Sequence, residues 1–204
     1  MLISKVNKGT GMLAMPKWVK FFTNLMIVIV QISILFAYVG FLWPLGYLYE
    51  GYHGDVAQAV LDNDDFLRYS AHHLTAGAMA SFPGWPYVLL MAVGSAIWIG
   101  ASIMFAKAMV KLLNNVVEED YFSQNNIAAV KRLVVAQCYV VIGEFFLAGG
   151  NQLTSSWLRG YNNGAFSQTW TNTIDSIGLL IVLKVISVIY ERAMTMKVEN
   201  DLTV

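Results

Sequence analysis

The chain has 204 residues, of which 57% are hydrophobic and 13% are charged, and its formal net charge is zero. Its mean hydropathy of +0.55 is too high for one soluble domain, whereas several bilayer crossings would place that apolar surface in lipid. The neutral charge argues against direct nucleic-acid binding, because contacts to phosphate backbones need an excess of Lys and Arg. The single cysteine, Cys138, excludes an intrachain disulfide. We therefore expect a membrane protein whose main partner is the lipid bilayer.

Four long apolar runs predict four transmembrane helices. They lie at residues 21–42, 87–110, 133–150 and 174–190. The first run follows several lysines, as a signal peptide would. It is longer than a signal h-region and has no small-residue cleavage site, so we interpret it as a retained helix. No linker divides the chain, which predicts a single membrane domain with outer loops at 43–86 and 151–173.

The placement of basic residues predicts the orientation of the spans. Lys and Arg concentrate before span one, around the link between spans two and three, and after span four, whereas the other side carries only Arg68 and Arg159. By the positive-inside rule both termini and the middle link are cytoplasmic. Aromatic residues near the outer ends would form an interfacial belt: Trp43, Tyr47, Tyr49, Trp85, Tyr87, Trp157, Tyr161 and Trp170. The predicted fold is an all-α, integral membrane four-helix bundle with up-down-up-down topology.

Polar residues recur one heptad apart within the spans and predict polar faces that turn inward. Once residues near the interfaces are set aside, a central intramembrane layer remains, formed by Gln31, Ser95, Glu144 and Lys184. A charge near the bilayer centre costs roughly 2.5 to 3.5 kcal/mol on insertion scales. The span positions place Glu144 and Lys184 about 7 Å apart along the axis, within reach of a lysine side chain.

Four interpretations of this Glu144–Lys184 pair stay open. It could lock two helices in register, line a proton or ion pathway, or dock another membrane segment. Alternatively, Lys184 simply extends to the cytoplasmic surface. The sequence does not choose between a structural layer and a transport path.

Span two also carries a face of small residues. Ala92, Ala96 and Gly100 recur every four residues, which lets helix backbones approach closely in lipid. We expect this face to pack against another helix of the same chain. The alternative is contact with a partner or with a second copy in a homo-oligomer.

The first outer loop contains all three histidines, His53, His72 and His73. Adjacent His72 and His73 would point about 100 degrees apart on a helix, so the spacing does not predict a metal site, and we expect no cofactor. The pattern predicts instead a short helix that starts near Asp55. Its apolar side chains would rest on the bundle: Val56, Val60, Leu61 and Phe66.

The link between spans two and three predicts a stiff turn at the cytoplasmic surface. Span two would continue as helix to about Glu118, Ser123 would cap the next helix, and Phe122 would pack on Ile127 as a hydrophobic staple. The turn would expose three carboxylates, those of Glu118, Glu119 and Asp120. These are either solvated or available to a basic partner.

The turn and the C-terminal tail resemble a known family. Residues 119–127, Glu-Asp-Tyr-Phe-Ser-Gln-Asn-Asn-Ile, resemble the "phenylalanine, serine or threonine, x, x, asparagine" turn of a bacterial membrane family of unknown function (DUF 2975). The asparagine of that pattern is Asn126. The tail is similar to the family's usual C-terminus through Glu199, Asn200, Asp201, Leu202, Thr203 and Val204. The resemblance implies a four-span protein of the bacterial inner membrane, and it implies a small helix-turn-helix regulator as a partner, since members are often encoded beside one.

The sequence contains no nucleophile with a base, no His-Glu metal helix and no phosphate-cradling glycine loop, so we do not expect an enzyme. The preferred hypothesis is a non-enzymatic regulatory or interaction protein that binds a cytoplasmic or membrane partner through its turn and tail. Two alternatives stay open. One is an immunity protein against a membrane-active toxin, and the other is a small ion or solute transporter component that would need to oligomerise.

Overall fold

The structure is a computed structural model that describes residues 15–54, 56–62, 76–121, 123–160 and 170–201. Within these ranges every regular element is a helix, which confirms the predicted all-α class. The helices are α1 (Lys17–Val39), α2 (Leu42–His53), α3 (Val56–Asp62), α4 (Ala76–Ala80), α5 (Gly84–Val117), α6 (Gln124–Gly160) and α7 (Thr171–Asp201). Four stretches are long and apolar enough to cross a bilayer: α1 with α2, α5, α6 and α7.

These four stretches form a four-helix bundle that is built around one central pair. The most extensive contact joins α5 to α6, while α1 and α2 lie against α5 and α7 lies against α6. The outer helices are therefore mostly exposed, and α1 buries a single residue, Ile27. Among the described residues, α1 and α7 make no substantial contact with each other. The core of the bundle is the α5–α6 interface rather than an axis shared by four helices.

Small residues one heptad apart line the α5–α6 interface. The buried set comprises Ala129, Ala136, Gly143 and Gly150 on α6 with Gly94, Ala101 and Ala108 on α5. A Cβ added at Gly143 would lie 3.0 Å from the backbone oxygen of Gly94 and 3.0 Å from the backbone nitrogen of Trp98. The two backbones are thus in van der Waals contact, as in close-packed antiparallel helix pairs in lipid.

The first outer loop is shorter than predicted, because the chain is helical again from Leu42 to His53. Pro44 lies in the first turn of α2, where the missing N–H removes no helical hydrogen bond. The N–H of Trp43 donates instead to the oxygen of Gly40 at 3.0 Å. Pro44 is therefore compatible with the start of a second helix, and residues 43–53, which were predicted to belong to the first outer loop, are helical.

The second outer loop is also shorter than the predicted 151–173, because α6 continues to Gly160 and α7 begins at Thr171. The drop in hydropathy at residue 151 does not end the helix. One of the polar side chains after residue 151 is satisfied within the protein: Thr154 is buried, and its hydroxyl donates to the oxygen of Gly150 at 3.3 Å.

The short helix predicted near residue 55 is present as α3, described from Val56. Val56 and Val60 are buried in an apolar cluster with Phe82, Tyr87 and Trp157. This cluster joins α3 to the ends of α5 and α6. Asp55, Phe66, His72 and His73 lie outside the described residues.

Candidate functional site

The turn between α5 and α6 closes the end of α5 with a Schellman motif. The N–H of Asp120 donates to the oxygen of Asn115 at 2.9 Å, and the N–H of Glu119 donates to the oxygen of Val116 at 3.1 Å. Glu119 adopts a φ of 62°, in the left-handed region that favours glycine. We call the end of the bundle that carries residues 118–123 the turn end.

Asn126 holds this turn from the first turn of α6. Its side chain is only 3% exposed and donates to the oxygens of Asp120 at 2.6 Å and Tyr121 at 3.1 Å. It also accepts a hydrogen bond from the side chain of Asn115 on α5. One buried amide thus bridges the last turn of α5, the loop and the first turn of α6. This explains why an asparagine stands at the end of the "phenylalanine, serine, x, x, asparagine" pattern.

The helix α7 is fixed to the same turn. The hydroxyl of Tyr190 donates to the oxygen of Tyr121, and the Lys131 ammonium lies 3.2 Å from the carboxylate of Glu191. The start of α1 reaches this end as well, since the N–H of Met15 donates to Glu119 at 3.2 Å. Three helical stretches and the chain ahead of α1 therefore meet at the turn end.

The carboxylates of Glu118, Glu119 and Asp120 are exposed at this end, as the sequence predicted. The predicted side-chain cap is not formed: the carbonyl of Ser123 accepts from Asn126 and Ile127, but its hydroxyl has no partner among the described residues. The Asn126 side chain fixes the loop in a different way, by donating to the backbone oxygens of Asp120 and Tyr121. Phe122 lies outside the described residues, so the staple is not tested.

The C-terminal tail is only partly described. The helix α7 continues through Glu199 and Asn200 to Asp201, and the side chains of Glu199 and Asn200 are exposed on the side of the turn end. Leu202, Thr203 and Val204 lie outside the described residues.

The four residues of the predicted intramembrane layer do not come together. Gln31 and Lys184 lie on exposed faces of α1 and α7. Ser95 is buried, but its hydroxyl donates to the oxygen of Met91 on its own helix at 2.6 Å. Glu144 is half-buried near Trp98. No ion pair joins Glu144 to Lys184 in the part of the chain that the structure describes.

The axial register of α6 and α7 explains this separation. The hydroxyl of Thr173 donates to the backbone oxygen of Glu144 at 3.4 Å, so these two residues lie at one level. Lys184 follows Thr173 by eleven positions, which places it about 16 Å further along the axis. The expected offset of 7 Å assumed that both spans are centred on the same plane. Lys184 lies instead toward the turn end.

A further polar contact between these helices was not predicted from the sequence. Gln137 is buried, and its side-chain amide donates to the backbone oxygen of Ser176 on α7 at 3.0 Å. Gln137 belongs to the same heptad series as Glu144. The spacing alone could not show which member faces a helix and which is half-exposed.

The small-residue face of α5 is used only in part. Ala92 is buried, Ala96 is half-buried and Gly100 is exposed, with no atom within 4 Å of an added Cβ. The close approach of helices occurs at Gly94 and Gly143 instead. The signal for it was the heptad spacing of small residues on two helices, not the four-residue spacing on one.

Fold and site together define an all-α, multi-pass membrane protein with an ordered turn at one end of its bundle. Among the described residues, no group of three or more His, Cys, Asp or Glu side chains could hold a metal ion.

Residues 65–204 match the model of a family described as a protein of unknown function (DUF2975), and the chain belongs to that family. This confirms the resemblance drawn from the turn and the tail. The matched region contains α4 to α7, while α1, α2 and α3 precede it. No curated protein and no solved structure matches the chain.

Proposed function

We propose that the protein is a non-enzymatic regulatory or interaction protein of the bacterial inner membrane, and that it binds a partner protein at its turn end in the cytoplasm. The observation that carries this proposal is the construction of the turn. A buried amide and a tyrosine hydroxyl from α7 fix the loop backbone, and the carboxylates of Glu118, Glu119 and Asp120 remain exposed.

The orientation is supported by the distribution of exposed cations. Several lie on the helix segments nearest the turn end: Lys17, Lys20, Lys131, Arg132, Arg192 and Lys197. At the opposite end the described residues contribute Arg159. By the positive-inside rule this distribution supports a turn end in the cytoplasm.

The charges at the turn end are layered along the bundle axis. Lys111 precedes Glu118 by seven positions on α5, which is about 10 Å of helix. Basic side chains at the deeper level suit anionic lipid headgroups, and the acidic tip then projects beyond them into the cytoplasm. This tip repels nucleic acid and attracts a basic protein surface.

A fixed backbone favours binding over simple solvation of the three acids. Since the turn is already ordered, a partner that binds it loses less conformational entropy than it would on a flexible loop. The family resemblance implies a helix-turn-helix regulator, and the DNA-binding face of such a protein is basic. Binding there would sequester the regulator at the membrane.

The transporter alternative loses its main support, because the polar residues that motivated it are dispersed over three surfaces. Gln31 and Lys184 lie on exposed faces of different helices, and Ser95 is satisfied within α5. No observation specifically favours the immunity alternative.

The test is co-purification of a helix-turn-helix regulator encoded beside the gene, using three variants of the full chain. One combines Glu118→Gln, Glu119→Gln and Asp120→Asn, the second lacks residues 199–204, and the third is a control, Asp175→Asn, at an exposed acid near the start of α7, about 22 Å along the helix from Tyr190. We expect binding to fall about tenfold or more in the first variant, to weaken with salt, and to be unchanged in the control. Binding that is unchanged in the first two variants would refute the proposal.

A further inference from the structure

A cleft lies at the end of the bundle opposite the turn. Its volume is about 160 Å³. One wall is the face of α2 that carries Trp43, Gly46, Tyr47 and Glu50, the second is α3 through Val60, and Tyr87 of α5 lies at the base. The four α2 residues follow the i, i+3, i+4, i+7 spacing that places side chains on one helix face.

Two aromatic rings of the cleft, those of Tyr47 and Tyr87, stand nearly at right angles. The centroids of the Tyr47 and Tyr87 rings are 6.1 Å apart and their planes meet at 82°. Trp43 precedes Tyr47 by one helical turn on the face of α2 that lines the cleft. Tyr87 is only 4% exposed and packs on Phe82, whose centroid lies 5.4 Å from its own. The Tyr47–Tyr87 pair is therefore preformed, because Tyr87 is held by the core.

The only charged side chain in the lining is that of Glu50. Glu50 follows Tyr47 by three positions on the same face of α2, and Tyr87 lines the same cleft. No ion pair to Glu50 occurs in the part of the chain that the structure describes. The faces of aromatic rings carry partial negative charge, so the rings and the carboxylate all favour a cation.

The chemistry of the lining also selects the kind of cation. Metal ions such as Ca²⁺ or Mg²⁺ require several oxygen ligands, and here one carboxylate faces indole and phenol rings. An organic ammonium group spreads its charge over methyl or methylene surface and pairs well with aromatic faces.

We propose that this cleft binds an organic ammonium group, held between the rings of Trp43, Tyr47 and Tyr87 and the carboxylate of Glu50. The group could belong to a soluble cation or to a lipid headgroup such as ethanolamine. The site lies at the opposite end from the turn and does not depend on the partner proposed there. Most of its residues also precede the region matched by the family.

The test is calorimetric titration of the full chain in nanodiscs of phosphatidylglycerol. The probes are tetramethylammonium and choline, with 3,3-dimethyl-1-butanol as a neutral analogue of choline. We expect saturable binding of both cations and binding of the neutral alcohol that is about tenfold weaker or less. Absence of saturable cation binding, or equal binding of the alcohol, would overturn the proposal.

Two variants test the site by independent means. Glu50→Gln removes the charge and keeps the shape, and its control is Asp175→Asn. Gly46→Leu fills the cleft, since a Cβ at Gly46 has nothing within 4 Å, and its control is Gly178→Leu, at a helical glycine with the same free space on α7. We expect each site variant to weaken choline binding about tenfold or more and each control to bind like the parent. Parent-like binding in Glu50→Gln would refute the assignment even if Gly46→Leu failed to fold.

A second lipid distinguishes the two sources of the ammonium group. In nanodiscs that contain phosphatidylethanolamine, weaker choline binding by competition would assign the cleft to a lipid headgroup. Unchanged choline binding would assign it to a soluble cation.

Discussion

Asn126 should be the most sensitive residue of the turn. Its buried side chain makes three hydrogen bonds, to Asn115, Asp120 and Tyr121. At about 0.5–1.5 kcal/mol net for each bond, Asn126→Ala should lower the free energy of unfolding by roughly 2 to 4 kcal/mol. The oxygen of Tyr121 keeps its bond from Tyr190, whereas the oxygen of Asp120 and the amide of Asn115 lose the Asn126 side chain as a partner.

The assay is unfolding by SDS in mixed micelles, followed by the helical circular dichroism signal. The matched control is Asn125→Ala, because Asn125 is the preceding residue of the same helix and is exposed. The control should change the free energy of unfolding by no more than about 0.5 kcal/mol. Equal losses in the two variants would refute the reasoning, since the effect would then come from helix propensity and not from the buried hydrogen bonds.

Three further predictions use the same unfolding assay. Glu119→Gly should stabilise the protein by about 1 kcal/mol, because glycine tolerates the positive φ. Glu119→Ala should give no such gain, and equal gains in the two variants would show that the effect comes from the removed charge. Gly143→Ala should destabilise the protein by roughly 1 to 3 kcal/mol, because the new methyl group meets backbone atoms at 3.0 Å. Gly178→Ala should be neutral or stabilising, and a larger loss of stability in Gly178→Ala than in Gly143→Ala would contradict the α5–α6 interface. A double-mutant cycle of Glu144→Gln and Lys184→Met should show a coupling energy below about 0.3–0.5 kcal/mol, as for residues without contact; a larger coupling would restore the predicted pair.

The class and the span count could be predicted from the sequence because they depend on composition and charge placement alone. Length and apolarity require four crossings, and the turn carries a local pattern whose asparagine proves to bridge two helices. Such features depend on residues close together in the chain, so no knowledge of the tertiary register is needed.

The helix contacts could not be predicted, because they depend on the axial offset and rotation of each helix. Glu144 and Lys184 carry opposite charges, but they lie at different positions along the bundle axis. The contact of Thr173 with Glu144 sets this offset between α7 and α6. The heptad spacing was informative, but the residues that use it for packing are small ones such as Gly94 and Gly143.

The cleft could not be predicted, because the first apolar span was predicted to end at residue 42. Trp43 and Tyr47 were then assigned to an interfacial belt and Glu50 to a loop. When Pro44 is placed in the first turn of α2, the same three residues share one helix face. The correct choice required the backbone path from Gly40 to Leu42.

The central claim, that the acidic turn binds a partner in the cytoplasm, is tested most directly by photo-crosslinking in living cells. A photoreactive amino acid replaces Asp120 in one variant and Asp175, near the start of α7 and away from the turn, in another. The account predicts a discrete protein adduct at position 120 that disappears when Glu118 and Glu119 are changed to Gln, and no such adduct at position 175. The same adduct at both positions, none at position 120, or one that survives the loss of the two carboxylates would contradict it.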